Sequence, residues 1–386
     1  MRFHNFWCYR QILFSKGFAK TLWNARNNLK AEQSGRPLPA GPYMAELDIT
    51  YRCNLKCQMC QRWRDPRPDG LSLKAYRDLA CEFAELGVHQ ISVAGGEPLM
   101  REDVFRIIET FAKRGMSVNI CTNGMLIEKY RREIVDSGAT CITVSLDGAT
   151  AGSHDAIRGR EGSLQQIERG IESFLGQRAN GAPILRVRMT ISSANSQEVR
   201  NFYTKWNGVA DDVLFQPVHQ CSDSYYTGMQ KTSLNVDAAL ISGQLRRTPL
   251  ARDPYMRKWV DSLEAGEGVP NTPCYAGVLM ARIDPWGHVY PCLEQHACVG
   301  SVLDEPFSKI WNANALNQER KRLASDRTCR CWYNNTALIG HFGTLIKNTI
   351  ANGRKRCSSR WLQEEFPSRS PSPPSSFAGP QSRSGT

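Results

Sequence analysis

Between about residues 43 and 220, short β-rich apolar runs alternate with amphipathic stretches of helical period. This is the pattern of repeated βα units around a parallel sheet. Strands are expected near Met44–Thr50, Gln90–Ala94, Ser117–Cys121, Cys141–Ser145, Ile184–Ile191 and Val213–Gln216, with helices beginning near Ser72, Glu102, Leu126, Ser163 and Ser196. Six such units predict an α/β fold, a partial (βα)6 TIM-like barrel left open on one side, with a flat doubly wound sheet as the other arrangement of the same elements. In both, ligands bind at the C-terminal ends of the strands.

The alternation defines residues 43–225 as the barrel and stops there. Residues 226–268 read as a helical connection, and 269–335, rich in Pro, Gly and Cys, as a small Cys-rich domain. Residues 336–366 read as a helical extension, and 367–386 as a disordered tail too poor in apolar groups to pack. The segment 1–42 is basic and amphipathic: Phe3, Phe6, Trp7, Phe14, Phe18, Leu22 and Trp23 stand among Arg10, Lys16 and Lys20. Such a composition suits a helix packed on the barrel, peripheral contact with anionic lipid, or a transit peptide.

Charge changes this picture little. The net +12 resides mostly at the ends, with +6 in residues 1–42 and +4 in residues 354–386, so the body is almost neutral and offers no nucleic-acid groove. The fourteen cysteines matter more. Arg10 and Lys16 interrupt Phe6–Phe18, so no secretory signal is expected there, and nothing approaches the ~18 apolar residues of a membrane span. The expected compartment is the reducing cytoplasm, where clustered cysteines bind metal more often than they form disulfides.

Arg52-Cys53-Asn54-Leu55-Lys56-Cys57-Gln58-Met59-Cys60 follows the first strand. A C-x3-C-x2-C loop can wrap three corners of a cubane cluster and leave one iron without a protein ligand. Structural zinc, the rival metal, wants four ligands, and no fourth Cys or His lies close in sequence.

These residues resemble the radical S-adenosylmethionine (radical SAM) enzymes. The resemblance extends over about residues 43–220 through four further stretches at expected strand ends: Gly95-Gly96-Glu97-Pro98, Thr122-Asn123-Gly124, Ser145-Leu146-Asp147-Gly148 and Arg158-Gly159. It implies a [4Fe-4S] cluster on Cys53, Cys57 and Cys60, with S-adenosylmethionine on the open iron. Reductive cleavage then gives a 5′-deoxyadenosyl radical that abstracts hydrogen from substrate, with a reductant such as flavodoxin or ferredoxin as partner. It further implies that Gly95, Gly96, Glu97 and Pro98 meet the ammonium of S-adenosylmethionine, that Thr122, Asn123, Ser145 and Asp147 meet its ribose and methionyl parts, and that Arg158 pairs with its carboxylate. The family commonly has an aromatic residue before the last motif cysteine; here Met59, apolar and polarizable, takes that place near the adenine.

Cys274, Cys292, Cys298, Cys329 and Cys331 lie beyond the barrel, and Ile283–Cys292 reads as a hairpin with its turn at Pro285–Gly287. This region is similar to the SPASM/twitch extension of some radical SAM enzymes, and Phe307–Asn312 to the start of that extension's helix. The likeness implies an auxiliary [4Fe-4S] cluster on Cys274, Cys292, Cys329 and Cys331, with Cys298 as substitute because Cys329-Arg330-Cys331 is tighter than the usual pair. Such a cluster, if all four thiolates bind it, would serve electron transfer, and an open site would suggest substrate ligation; zinc or a bare thiol cluster is the other reading of these cysteines. Cys221, Cys8, Cys81, Cys121, Cys141 and Cys357 receive a structural reading.

Substrate is the least legible element. The 42 residues before the barrel are fewer than the usual folded unit of about 50, which turns the expectation from a ribosomal peptide toward a small or lipid-linked metabolite, oxidised or epimerised. Peptide maturation and a non-catalytic electron-transfer or scaffold role are the alternatives.

Overall fold

The computed structural model describes residues 18–179, 181–218, 237–270, 273–326 and 331–332. Cys8, Cys221, Cys329 and Cys357, the first 17 residues, the expected extension 336–366 and the tail 367–386 lie outside the described residues.

All six expected strands form: β1 (Met44–Thr50), β2 (Gln90–Gly95), β3 (Ser117–Thr122), β4 (Cys141–Ser145), β5 (Ile184–Ile191) and β6 (Asp212–Pro217). They are parallel and lie in the order 6-5-4-3-2-1, so each strand pairs with its neighbour in sequence, as in a barrel rather than a doubly wound sheet. Side chains alternate across them. On β5, Leu185, Val187, Met189 and Ile191 are buried on one face, while Arg186, Arg188 and Thr190 occupy the other.

Helix α1 (Phe18–Gln33) precedes the barrel, and α2 (Leu73–Leu86), α3 (Val104–Ala112) and α4 (Ile127–Asp136) follow β1, β2 and β3. Their apolar spacing explains the burial: Val104, Ile107, Ile108 and Phe111 of α3 recur at i, i+3, i+4 and i+7, and all are buried. Ser72 caps α2 by accepting the Ala75 N–H at 3.2 Å. Two helices, α5 (Ala151–Arg158) and α6 (Ser163–Gln177), follow β4. The first was not expected, because Ala-Gly-Ser-His is a weak helical sequence; Thr150 caps its start and Gly159, in the left-handed region, ends it. The start expected at Ser196 is a single 3-10 turn, Ser196–Glu198, that runs into α7 (Val199–Trp206).

After α8 (Ala238–Arg246) and α9 (Pro254–Glu264) the chain rejoins the same sheet. Strand β7 (Met280–Ile283) pairs with β1, parallel, with Met44 opposite Met280. The expected hairpin then follows: β8 (His288–Tyr290) runs antiparallel to β7, and β9 (Gly300–Ser301) antiparallel to β8. Its turn docks on the segment after the cysteine loop. Pro285 O accepts the Gly70 and Leu71 N–H groups at 3.1 and 2.8 Å, and Trp286 Nε1 donates to Pro68 O at 2.9 Å. The expected helix at Phe307–Asn312 forms as α10, followed by α11 (Asn314–Ser325).

Helix α1 is tied to both parts, since the buried Asn28 donates to Gly41 O at 2.9 Å and Val278 O at 3.3 Å. The described part of the amphipathic segment is thus a packed helix, with Trp23 left 58% exposed. Among the described residues no helix is long and apolar enough to cross a membrane.

Candidate active site

The cysteine loop leaves β1 at Thr50 and is gripped by backbone. Gly96 N donates to Thr50 O at 2.7 Å, Glu97 N to Arg52 O at 2.8 Å, and Gln58 N to Ile157 O at 3.0 Å. These contacts explain the glycines. A Cβ on Gly95, whose φ is +124°, would lie 2.2 Å from Thr50 O, and one on Gly96 would lie 2.4 Å from Arg52 O. The close approach that demands glycine is therefore made by the chain's own β1 end. Gly159 is required likewise, since its Cβ would lie 2.6 Å from Lys56 O.

Side chains complete the grip. Asn123 Nδ2 donates to Asn54 Oδ1 at 2.7 Å and stands 3.7 Å from Cys53 Sγ, while Arg158 Nη1 stands 3.8 Å from Cys57 Sγ. Glu97 is fully buried, and its carboxylate accepts from Thr122 Oγ1 at 2.8 Å, Asn123 N at 2.7 Å and Leu99 N at 3.1 Å. Burial nevertheless pushes its pKa up to about 7. Asp147, also fully buried, pairs with Arg158 Nε at 2.7 Å and accepts the Thr190 N–H at 3.0 Å.

Cys53, Cys57, Met59, Cys60, Gly95, Gly96, Thr122, Asn123, Ser145 and Arg158 line one cleft of about 880 Å³, its mouth included. Glu97, Pro98 and Asp147 are buried outside that lining, where Glu97 holds Thr122 and Asn123 and Asp147 holds Arg158. The sequence reading missed Glu46, Arg62, Trp63, Cys121, Arg188, Thr190 and Gln216, which line the same cleft. Their signal was the polar period-2 alternation in the strands, plainest at Arg186, Arg188 and Thr190 of β5. A strand covered by helices on one face has no reason for polar residues on the other unless that face meets water or ligand.

The donor set fits an iron–sulfur cluster. Burial pushes the Cys53 thiol up to about 12 and raises that of Cys60, and the neighbouring thiols reinforce both shifts. Three thiolates crowded there need more positive charge than Arg158 and Arg62 bring, and bound iron supplies it while deprotonating the thiols. Among the described residues no three His, Cys, Asp or Glu side chains converge on a point for a single ion. A cluster, whose irons are separate corners, does not need such a point.

In the C-terminal region Cys274 and Cys292 are neighbours: burial pushes the Cys292 thiol up to about 12, and Cys274 adds to the shift. Glu294 N donates to Cys292 Sγ at 3.4 Å, and Cys298 Sγ donates to Gly300 O at 3.4 Å. Cys331 is half-buried. Cys121 and Cys141, read as structural, face the barrel interior, Cys121 within 3.3 Å of Ser92 Oγ.

Residues 47–179 match the Radical SAM superfamily, and residues 274–332 match the SPASM iron–sulfur cluster-binding domain. The chain carries a radical SAM core followed by a SPASM domain, and these imply [4Fe-4S] clusters and S-adenosylmethionine as its cofactors. Among curated proteins it is 27% identical to the mycofactocin maturase MftC of Mycobacterium tuberculosis over 77% of each chain. It is 25% identical to the AdoMet-dependent heme synthase of Nitratidesulfovibrio vulgaris, over 68% of this chain and 77% of that one. Streptococcus suis SuiB, solved with S-adenosylmethionine, has a similar fold, with TM-score 0.59 and 16% identity over 82% of this chain and 75% of that one.

Proposed function

We propose that this chain is a radical SAM enzyme that abstracts hydrogen from a small or lipid-linked metabolite held in the barrel lumen. The observation that carries this reading is continuity: Cys53, Cys57 and Cys60 line the same cleft as Glu46, Arg188, Thr190 and Gln216. Bound on the three cysteines and reduced by one electron from flavodoxin or ferredoxin, the cluster with S-adenosylmethionine supplies a 5′-deoxyadenosyl radical. The protein's residues bind and orient. In this reading the Gly95–Gly96 backbone meets the ammonium, Met59 packs on the adenine, and Thr122, Asn123 and Ser145 meet the ribose and methionyl groups. Arg158 turns its guanidinium to the carboxylate while Asp147 holds its Nε edge. Glu97 and Pro98 support the ammonium site from behind, Glu97 by fixing Thr122 and Asn123. Cys274, Cys292, Cys329 and Cys331, with Cys298 as substitute, hold an auxiliary cluster that carries the surplus electron if the outcome is oxidation rather than epimerisation.

A second reading, maturation of a ribosomal peptide, is favoured by the likeness to the mycofactocin maturase. The nearly equal likeness to a heme synthase keeps the metabolite reading first. Anaerobic protein would be incubated with dithionite, S-adenosylmethionine and deuterated pools of metabolites, lipids or ribosomal peptides, and deuterium in 5′-deoxyadenosine measured. Label should come from the metabolite or lipid pool. Label from the peptide pool alone would replace this reading with the second, and absence of 5′-deoxyadenosine with intact clusters would sink both.

A further inference from the structure

Each strand of the barrel contributes to the cleft wall, and on β1 the contribution is an acid. Glu46 lines the cleft at 3% exposure, and its Oε2 has no hydrogen-bond partner among the described residues. A buried carboxyl oxygen left in that state costs about 1–3 kcal/mol in lost solvation. The cations beside it make other bonds through their Nη groups: Arg62 pairs with Asp48 at 3.1 Å, and Arg282, opposite Glu46 in register, donates to the Leu293 and Gln295 carbonyls, each at 3.2 Å, so that toward Glu46 they act through charge. At the other end of the six-stranded run, Gln216 on β6 leaves Oε1 without a partner while its Nε2 donates to Thr190 Oγ1 at 3.4 Å. Two acceptor oxygens thus reach one cleft from opposite ends of the run, and neither is hydrogen-bonded among the described residues. Their common deficit is a donor.

We propose that Glu46 anchors the substrate, receiving a hydrogen bond from a hydroxyl or ammonium group of a small polar metabolite, with Gln216 as a second acceptor. The proposal rests on the metabolite reading above and narrows it to donor-bearing compounds such as polyols and amines. The surroundings agree. Burial, with Asp48 and Glu294 adding to it and Arg62 and Arg282 opposing it, pushes the Glu46 carboxyl up to about 8. A hydroxyl could bond to either protonation state of that group, whereas an ammonium would draw its proton off. Cys121 lies near enough to feel the Glu46 charge, and Arg188 and Arg186 act on Cys121 in turn. A purely hydrocarbon substrate would leave both oxygens as orphaned as they are in the empty cleft.

The test uses the full chain, anaerobically reconstituted, with dithionite, S-adenosylmethionine and a perdeuterated metabolite extract divided by cation exchange. The readout is deuterium incorporated per 5′-deoxyadenosine formed. Glu46→Leu should lower this ratio at least about tenfold, as expected when a buried polar contact to substrate is lost, and Glu46→Gln, which keeps an acceptor, should fall between the two. Transfer from the cation-bound fraction identifies an amine, and from the flow-through a hydroxyl compound. An unchanged ratio in Glu46→Leu overturns the anchor.

Stability gives a second readout that needs no substrate. Because the carboxyl is unpaired in the empty protein, Glu46→Leu, which removes the buried polar group, should raise the thermal midpoint by about 2 °C or more, whereas Glu46→Gln, which keeps one, should leave it nearly unchanged. A lowered midpoint in both would mean that Glu46 is held for the fold, and would also overturn the proposal. Wild-type protein that takes no label from either fraction would instead remove the metabolite reading, leaving the midpoints to decide the fate of Glu46.

Discussion

The loop carrying Cys53, Cys57 and Cys60 accepts backbone hydrogen bonds from the end of β2 and a side-chain bond from Asn123, and its Gln58 donates from backbone and side chain to the Ile157 and Ala156 carbonyls of α5. Cys292, by contrast, is bonded by the backbone of Glu294 and Gln295 and Cys298 by Gly300 O, all within three residues in sequence, and Cys274 and Cys298 are exposed. The difference teaches where organisation comes from. In the core, the protein fixes ligand positions through strand ends that would exist without iron, whereas in the SPASM region bound metal would itself have to organise the thiols, as it does in small metal-dependent domains.

The strongest test of this contrast removes one set at a time. A Cys53/Cys57/Cys60→Ala triple variant should lose all cleavage of S-adenosylmethionine and about half the iron, measured by 5′-deoxyadenosine and iron–sulfide analysis. Retained cleavage would break the assignment of the core set. The complementary Cys274/Cys292→Ala variant should lose the other half of the iron while still forming 5′-deoxyadenosine without substrate; loss of all iron would mean that the two regions are not independently organised.

Smaller changes probe the grip itself. Gly96→Ala forces a methyl against the Tyr51 and Arg52 carbonyls, just past the end of β1, and should destabilise the protein by about 3 kcal/mol in denaturant titration. Gly152→Ala on α5, with open space around it, should be neutral or stabilising by about 0.5 kcal/mol. Asp147→Asn weakens the buried pair with Arg158 and should cost about 2 kcal/mol, visible in the same titration. Equal stability of Gly96→Ala and Gly152→Ala would dissolve the idea that the core loop is held by backbone approach.

The remaining effect is one of pH, spread over several units. Glu97 and Glu46 are raised from an ordinary 4.5 to about 7 and about 8, so the unfolded chain releases these protons first. Stability from these groups is therefore undiminished below about pH 4.5 and lost as pH rises toward 7 and 8, by at most about 1.4 kcal/mol per pH unit for each. Denaturation midpoints of wild type and Glu46→Gln between pH 5 and 9 should diverge across that window; parallel curves would mean that Glu46 ionises normally in the folded protein.

Much of this was legible in the sequence, for identifiable reasons. Strand ends announced themselves because glycine and polar residues follow each apolar run, and Ser72 marked its helix because a cap is a local interaction. The lumen acid Glu46 escaped notice because a single acid in a buried strand carries no motif, even though β5 displayed the alternation openly. The reason for Gly95 and Gly96 was also hidden, since it lies in backbone from β1, over 40 residues earlier in the chain. Pairing of β7 with β1 had no local signal at all.

That pairing has a consequence for synthesis. Until Met280–Ile283 has emerged and reached its place, Met44–Ala45-Glu46-Leu47 presents an unpaired edge, although it sits in the interior of the finished sheet. A ribosome adding about 5–20 residues per second needs on the order of 10 s or more to bring the later strand out. During that interval the nascent barrel is a sticky half-product with its cysteine loop on the open strand. A chaperone or cluster-delivery protein acting on this chain would meet its substrate in that state, and production of chains halted before residue 280 should yield aggregates rather than a smaller soluble barrel.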